Sequence, residues 1–185
     1  MASEILSSGL GVLTRRRLVC IGAAAGMATF ARQPACAIQG ERSAVPIALP
    51  DFLAGTPADA GPARVISAII GINLARSGRF VLIDQAAFPD HVPTIDEWPR
   101  FADWRAIKAV ALLVGRVARL LDGRINTAFR LWDVSFDVSG PTPLIGRRYA
   151  ATPANFPRIG NIISDEVYEA LLGVPGHFDA NASPR

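Results

Sequence analysis

Apolar and polar positions are most clearly ordered between Ala109 and Val138. Residues 110–114 form an unbroken apolar run, the pattern of a strand covered on both faces. Asp122-Gly123 follows, a dipeptide suited to a tight turn that needs φ > 0. The return stretch alternates, with Ile125, Phe129 and Leu131 pointing one way and Arg124, Asn126 and Arg130 the other. The pattern predicts a β-hairpin. A two-residue loop would set Leu120 opposite Ile125 and Val114 opposite Leu131. One cross-strand face is then largely apolar and needs a helix against it.

Two helix-period segments supply that cover. Residues 63–77 carry the stripe Val65, Ile66, Ile69, Ile70 and Leu74, with Pro62 in the first turn, Arg76 in the last and Gly78 just beyond. Residues 156–172 carry Ile159, Ile162, Ile163, Val167 and Leu171. Asn155 stands at the cap, Pro157 in the first turn and Gly173 at the end. Residues 44–53 read as a strand interrupted by Pro46 and Pro50, hence an edge strand or a bulged one. Residues 80–83 read as a short strand that closes a crossover unit with the first helix. Residues 84–100 are irregular, and residues 101–109 read as a short helix with Trp104 and Ile107 inward. Residues 144–151 add a third meander strand, with Arg147 and Arg148 exposed near one edge. The expected fold is α/β with α+β character: a mixed sheet of about five strands with two main helices mainly on one face. No internal repeat is visible, so the lone Trp132-Asp133 dipeptide does not signal a propeller.

The first 37 residues differ from the rest. Thr14-Arg15-Arg16-Arg17 is a positive region, residues 18–30 are apolar, and Ala35-Cys36-Ala37 is a small-x-small cleavage site. The apolar stretch is shorter than the roughly 20 residues that span a bilayer. The layout predicts a signal peptide, with Arg15 and Arg16 resembling the twin-arginine export signal and cleavage after Ala37. A retained anchor, or lipidation at Cys36, are the alternatives. The expected organisation is a signal over residues 1–37, a domain over 38–179 and a divergent tail over 180–185.

Charge and cysteine content sharpen this picture. The chain has 19 basic and 16 acidic residues, a formal net charge of +3. The signal region holds four of the former and one of the latter, so the remainder is balanced at fifteen each. A nucleic-acid partner, which calls for a basic excess on the folded part, is therefore not expected. Nor is stable membrane insertion after cleavage. Both cysteines, Cys20 and Cys36, fall in the signal region, so the domain can form no disulfide and no thiolate metal site.

Candidate chemistry is sparse. His91 and His177, the only histidines, lie in separate loops, whereas metal sites and acid–base catalysis need convergent groups. Neighbours on a helix are about 100° apart, so Asp96-Glu97 and Asp165-Glu166 do not converge on one target and read as solvated surface charge. Ser67 and Ser164 sit in helices with no partner identifiable from sequence. No glycine-rich phosphate loop, nucleophile elbow or zinc spacing occurs. Trp104 and Trp132 read as core and Trp98 as the exposed tryptophan. No catalytic residue, cofactor or metal is expected.

Several stretches, taken in order, carry a resemblance. They are residues 44–53, Leu-Ala-Arg-Ser-Gly-Arg-Phe at 74–80, Leu-Val-Gly-Arg-Val at 113–117, Phe-Arg-Leu-Trp-Asp at 129–133 and Ser-Asp-Glu-Val-Tyr-Glu at 164–169. Together they resemble the amino-terminal domain of TolB, the periplasmic component of the Tol–Pal envelope system, from about Val45 to Asp179. The resemblance implies a non-enzymatic periplasmic adaptor that supports outer-membrane integrity and cell division. Its expected partners are Tol–Pal components. In the family an amino-terminal strand reaches a TolA partner. Here that strand is reduced to residues 38–43, so Ile38, Gln39, Glu41, Arg42 and Val45 form the expected partner-binding segment. The family's carboxy-terminal six-bladed propeller docks the Pal lipoprotein. The resemblance stops at residues 176–179, which leads to the expectation of a truncation or frameshift near Asp179. The last helix has Gly160-Asn161 where the family often has Ala-His. Another exported α/β accessory module, such as a regulator of cell-wall synthesis or a secretion-pore accessory, is the alternative function.

Overall fold

The computed structural model describes residues 43–135 and 142–179. Within them a six-stranded mixed sheet runs in the order β3-β1-β4-β5-β6, with β2 paired to β4 off this path. The strands are β1 (Val45–Ala48), β2 (Leu53–Ala54), β3 (Phe80–Leu82), β4 (Ala111–Arg119), β5 (Ile125–Asp133) and β6 (Ile145–Ala151). Helix α1 (Ala60–Arg76) crosses from β1 and β2 to β3, which pairs parallel to β1 as the crossover reading expected. Helix α2 (Phe101–Ala106) precedes the β4–β5–β6 meander, and α3 (Phe156–Leu172) follows it.

The two faces of the sheet bury two cores. On one, α1 and α3 set Ile66, Ile70, Leu74, Ile159, Ile163 and Val167 against Leu113, Phe129 and Leu131. On the other, α2 and its flanking loops set Trp104 against Leu112, Val114, Trp132 and Val134. The apolar run before β4's midpoint is thus covered on both sides, as expected. Trp104 and Trp132 are core, as their sequence context suggested.

The hairpin forms, but one residue away from the expected register. Arg119, not Leu120, lies opposite Ile125, and Leu113, not Val114, opposite Leu131. The loop has three residues, Leu121 to Gly123. The Leu120 amide donates to the Arg124 carbonyl (2.8 Å), the Gly123 amide donates to the Leu120 carbonyl (3.0 Å), and Gly123 has φ +82°. Asp122 selects this longer loop by accepting the Arg124 amide (3.0 Å) and Nε (2.7 Å). Those two bonds, the amide first, hold its carboxyl below the usual range.

The first strand also departs from expectation. It is bulged, but β1 is interior, between β3 and β4. Pro46 is tolerated there because its carbonyl accepts from Val110 (2.9 Å), so the donor it lacks would face the turn before β4 begins. The bulge splits the expected strand into β1 and β2, which raises the count from five to six. Ala48 pairs with Leu112 and Leu53 with Arg116, so four residues (49–52) span what three (113–115) span on β4. The surplus residue swings Phe52 over the β4 backbone. A Cβ on Gly115 would lie 2.5 Å from the Phe52 ring carbons Cδ2 and Cζ.

Helix α1 starts three residues earlier than expected, after a 3-10 turn (Pro57–Asp59) in which Thr56 and Asp59 cap each other. Its buried face is rotated: Val65 is exposed, while Ser67 and Gly71 face inward. Small residues are needed there because α1 passes close to Leu49 and Leu82. Helix α3 has the expected bounds, and Gly173 ends it at φ +71° with its amide on Glu169 (2.8 Å). Asn155 occupies the cap position, but its side chain makes no capping bond. Gly160 lets α3 approach Ile69 of α1, where a Cβ would lie 2.7 Å from its Cγ2.

Candidate binding surface

Helix α2 is six residues long and covers only part of its face of the sheet. The remainder, along β5 and β6, is an open groove of about 690 Å³. Its walls follow from the register. One cross-strand row reads Arg116, Ala128, Arg148, and the next reads Val114, Arg130, Gly146. Ala128 and Gly146 are too small to fill the space between the longer side chains, so a trough runs between guanidinium groups. The loop before α2 adds Trp98, 67% exposed, and Asp96, which accepts from Arg116 Nη1 at 3.1 Å. Arg130 and Arg148 form no ion pair among the described residues. Beyond them β6 is the last strand of the sheet, so its outer edge is unpaired among the described residues.

The exposure of Trp98, Arg147 and Arg148 agrees with the sequence reading. The assembly of Arg116, Arg130 and Arg148 was not foreseen. With the register expected from a two-residue turn, Arg116 would have faced Phe129 and been counted with the helix-covered side. The alternation of Arg116 with Val114 and Leu112 was the available signal, and the turn length concealed it.

The other polar candidates are mostly structural. Asp165 and Glu166 do diverge, as expected of neighbours, yet neither is simply solvated. Asp165 accepts the amides of Phe178 (2.8 Å) and Asp179 (2.9 Å), which ties the segment after α3 back onto that helix. Arg158 clamps the same segment, its Nε 3.0 Å from both oxygens of Asp179. Glu166 accepts from the Tyr149 hydroxyl (2.6 Å) and Arg147 Nε (3.1 Å). Burial, and then this carboxylate, push the Tyr149 phenol up to about 12. Ser67 has a partner after all: its hydroxyl accepts the Phe52 amide (2.8 Å) and donates to the Ala63 carbonyl. Asn73 links α1 to α3 by donating to Asn161 (2.9 Å) and Ser164 (3.1 Å).

The histidines lie in different surroundings. His91 Nε2 stands 3.4 Å from Glu97, while His177 stacks on Phe178 and meets the Tyr168 ring edge-on. Among the described residues, no group of three or more His, Cys, Asp or Glu side chains is placed to hold a metal ion. No helix among them is long and apolar enough to cross a membrane. Of the expected partner-binding segment, Val45 begins β1 and donates its amide to Arg79 (2.9 Å). Ile38, Gln39, Glu41 and Arg42 lie outside the described residues, as do Arg15, Arg16, Ala35, Ala37 and the tail over 180–185.

Comparison with known proteins adds to this geometry. A model of the TolB amino-terminal domain family matches residues 37–137. Among solved structures, TolB from Acinetobacter baumannii superposes with a TM-score of 0.59 and 23% identity, over 74% of this chain and 30% of that one. The chain therefore spans less than a third of that TolB. The C-terminal domain of LpoB from Salmonella enterica aligns at a TM-score of 0.42 and 13% identity, over 59% of this chain and 82% of that one. Lipoprotein GNA1162 from Neisseria meningitidis aligns at 0.43 and 15%, over 70% and 99%.

Proposed function

The chain belongs to the family of TolB amino-terminal domains, and on that premise we propose that it is a non-enzymatic adaptor of the periplasm, serving the Tol–Pal system through protein–protein contacts. The observation that carries this reading is the family match across the sheet from before β1 to the end of β5. The geometry is compatible with it: the described polar side chains tie elements together, and the open features are a groove and strand edges, which suit recognition of another chain. In this proposal Arg15 and Arg16 direct export, cleavage follows Ala37, and Ile38, Gln39, Glu41 and Arg42 lead through Val45 into β1 as a short partner-binding segment. The role is support of outer-membrane integrity and cell division.

The test is direct capture. The full-length chain, immobilised, is presented with each Tol–Pal protein purified singly. Saturable capture of at least one, lost on deleting residues 38–42, is the expected result. No capture of any of them overturns the Tol–Pal assignment and favours a different exported accessory module on the same fold.

A further inference from the structure

We propose that the trough between Arg130 and Arg148 binds an acidic, extended segment of a partner protein. The proposal rests on the adaptor reading only in taking the partner to be a protein. Three observations converge on it. The cations of the trough are all arginines, in a chain whose single lysine is Lys108. A guanidinium presents a planar fork that matches a carboxylate bidentately, whereas an ammonium acts as a point charge. Arg116 already holds one carboxylate, that of Asp96 at 3.1 Å, while Arg130 and Arg148 hold none among the described residues. The floor is made of Ala128 and Gly146, so a backbone can approach the sheet closely. The open edge of β6 lies alongside, and its unpaired amides and carbonyls can take an extended chain as a further strand. An incoming strand places every second side chain on the trough face, so acids at alternate positions would meet the two rows of arginines.

The shape and charge of the rest disfavour other polyanions. A flat lipid surface cannot reach a recessed floor. A nucleic acid would extend beyond the trough onto a domain whose basic and acidic residues balance. Trp98, exposed at the rim, offers a ring for the partner's apolar or aromatic side chains and a built-in reporter, since Trp104 and Trp132 are buried.

The experiment uses the full-length chain and a synthetic peptide with aspartate at alternate positions, beside the matched asparagine peptide. Binding is followed by calorimetry and tryptophan fluorescence. The aspartate peptide should bind at least about tenfold more tightly than the asparagine one, with an affinity that falls as salt rises. Arg130→Glu with Arg148→Glu should abolish that preference without moving the melting temperature, and Trp98→Ala should remove the fluorescence response. Should the double reversal fail to fold, the single variants Arg130→Gln and Arg148→Gln should each weaken binding several-fold. Arg64→Glu, on the exposed side of α1, should leave binding unchanged. Equal affinity for the two peptides overturns the proposal, as does an equal loss in Arg64→Glu. Tighter arginine-dependent binding of tripolyphosphate, single-stranded DNA or phosphatidylglycerol vesicles also overturns it. Peptide binding without capture of any Tol–Pal protein refutes the Tol–Pal assignment alone, and the converse refutes the trough alone.

Discussion

Replacing Gly115 by alanine should destabilise the domain, although alanine is ordinarily the better strand residue. The added Cβ would sit 2.5 Å from two carbons of the Phe52 ring, and ordinary contact begins at 3.4 Å, so the ring must withdraw by about 1 Å. It has little room to do so. Phe52 is 4% exposed, packed in the helix-side core, and its amide is held by the Ser67 hydroxyl at 2.8 Å. Overpacking of a filled core costs about 1–3 kcal/mol. Removing a strand glycine returns about 0.5–1 kcal/mol of backbone entropy. The net expectation is a loss of about 1–2 kcal/mol, or a fall in melting temperature of about 2–8 °C for a domain of this size. Urea unfolding measures it as a lower midpoint at unchanged slope. The decisive comparison is made in a Phe52→Ala background. With the ring gone the clash disappears, and Gly115→Ala should there stabilise by about 0.5–1 kcal/mol. An equal cost in both backgrounds, or no cost in the native one, would show that the Phe52 ring is not why glycine stands at this position.

Three further outcomes are expected from the polar contacts. The raised Tyr149 phenol favours the protonated folded state, so its contribution is complete below the ordinary tyrosine value near 10 and is lost as pH rises through about 12. Ultraviolet titration should show one of the two tyrosines ionising near that value, and Glu166→Gln should bring it down. Ser67→Ala strands the buried Phe52 amide and should cost about 1–3 kcal/mol in thermal or urea unfolding, where a merely exposed serine would cost almost nothing. Asp165→Asn weakens the acceptor for two amides of the segment after α3, so hydrogen exchange at Phe178 and Asp179 should accelerate while the amides of β4 and β5 remain protected.

Periodicity and turn chemistry made much of this fold readable. The bounds of α3, the left-handed Gly173, the crossover from β1 to β3 and the two core tryptophans are all legible in local pattern, because each is decided within a few residues. Three things were not readable, for one shared reason: they depend on partners that the local pattern does not name. Whether Asp122-Gly123 makes a two- or three-residue loop depends on Asp122 capturing the Arg124 amide, and that choice shifts all of β5. The inward turn of Ser67 depends on the Phe52 amide, fifteen residues away. Asp165 and Glu166 find their partners on the terminal segment and β6, which helix periodicity cannot reveal. The arginine trough belongs with these, since Arg116, Arg130 and Arg148 become neighbours only through correct strand pairing.

The surplus residue between Ala48 and Leu53 has an effect on which mutations the chain can absorb. In an unbroken strand, residues an odd number apart face opposite ways; these two face the same way, because the kink resets the alternation. Shortening the 49–52 segment by one position would restore the beat and invert the residues of β2. Leu53 would turn toward the helices, Ala54 outward, and Phe52 would leave its place above Gly115. Side chains in this stretch can therefore vary with graded cost, whereas its length is held by the parity of the whole sheet.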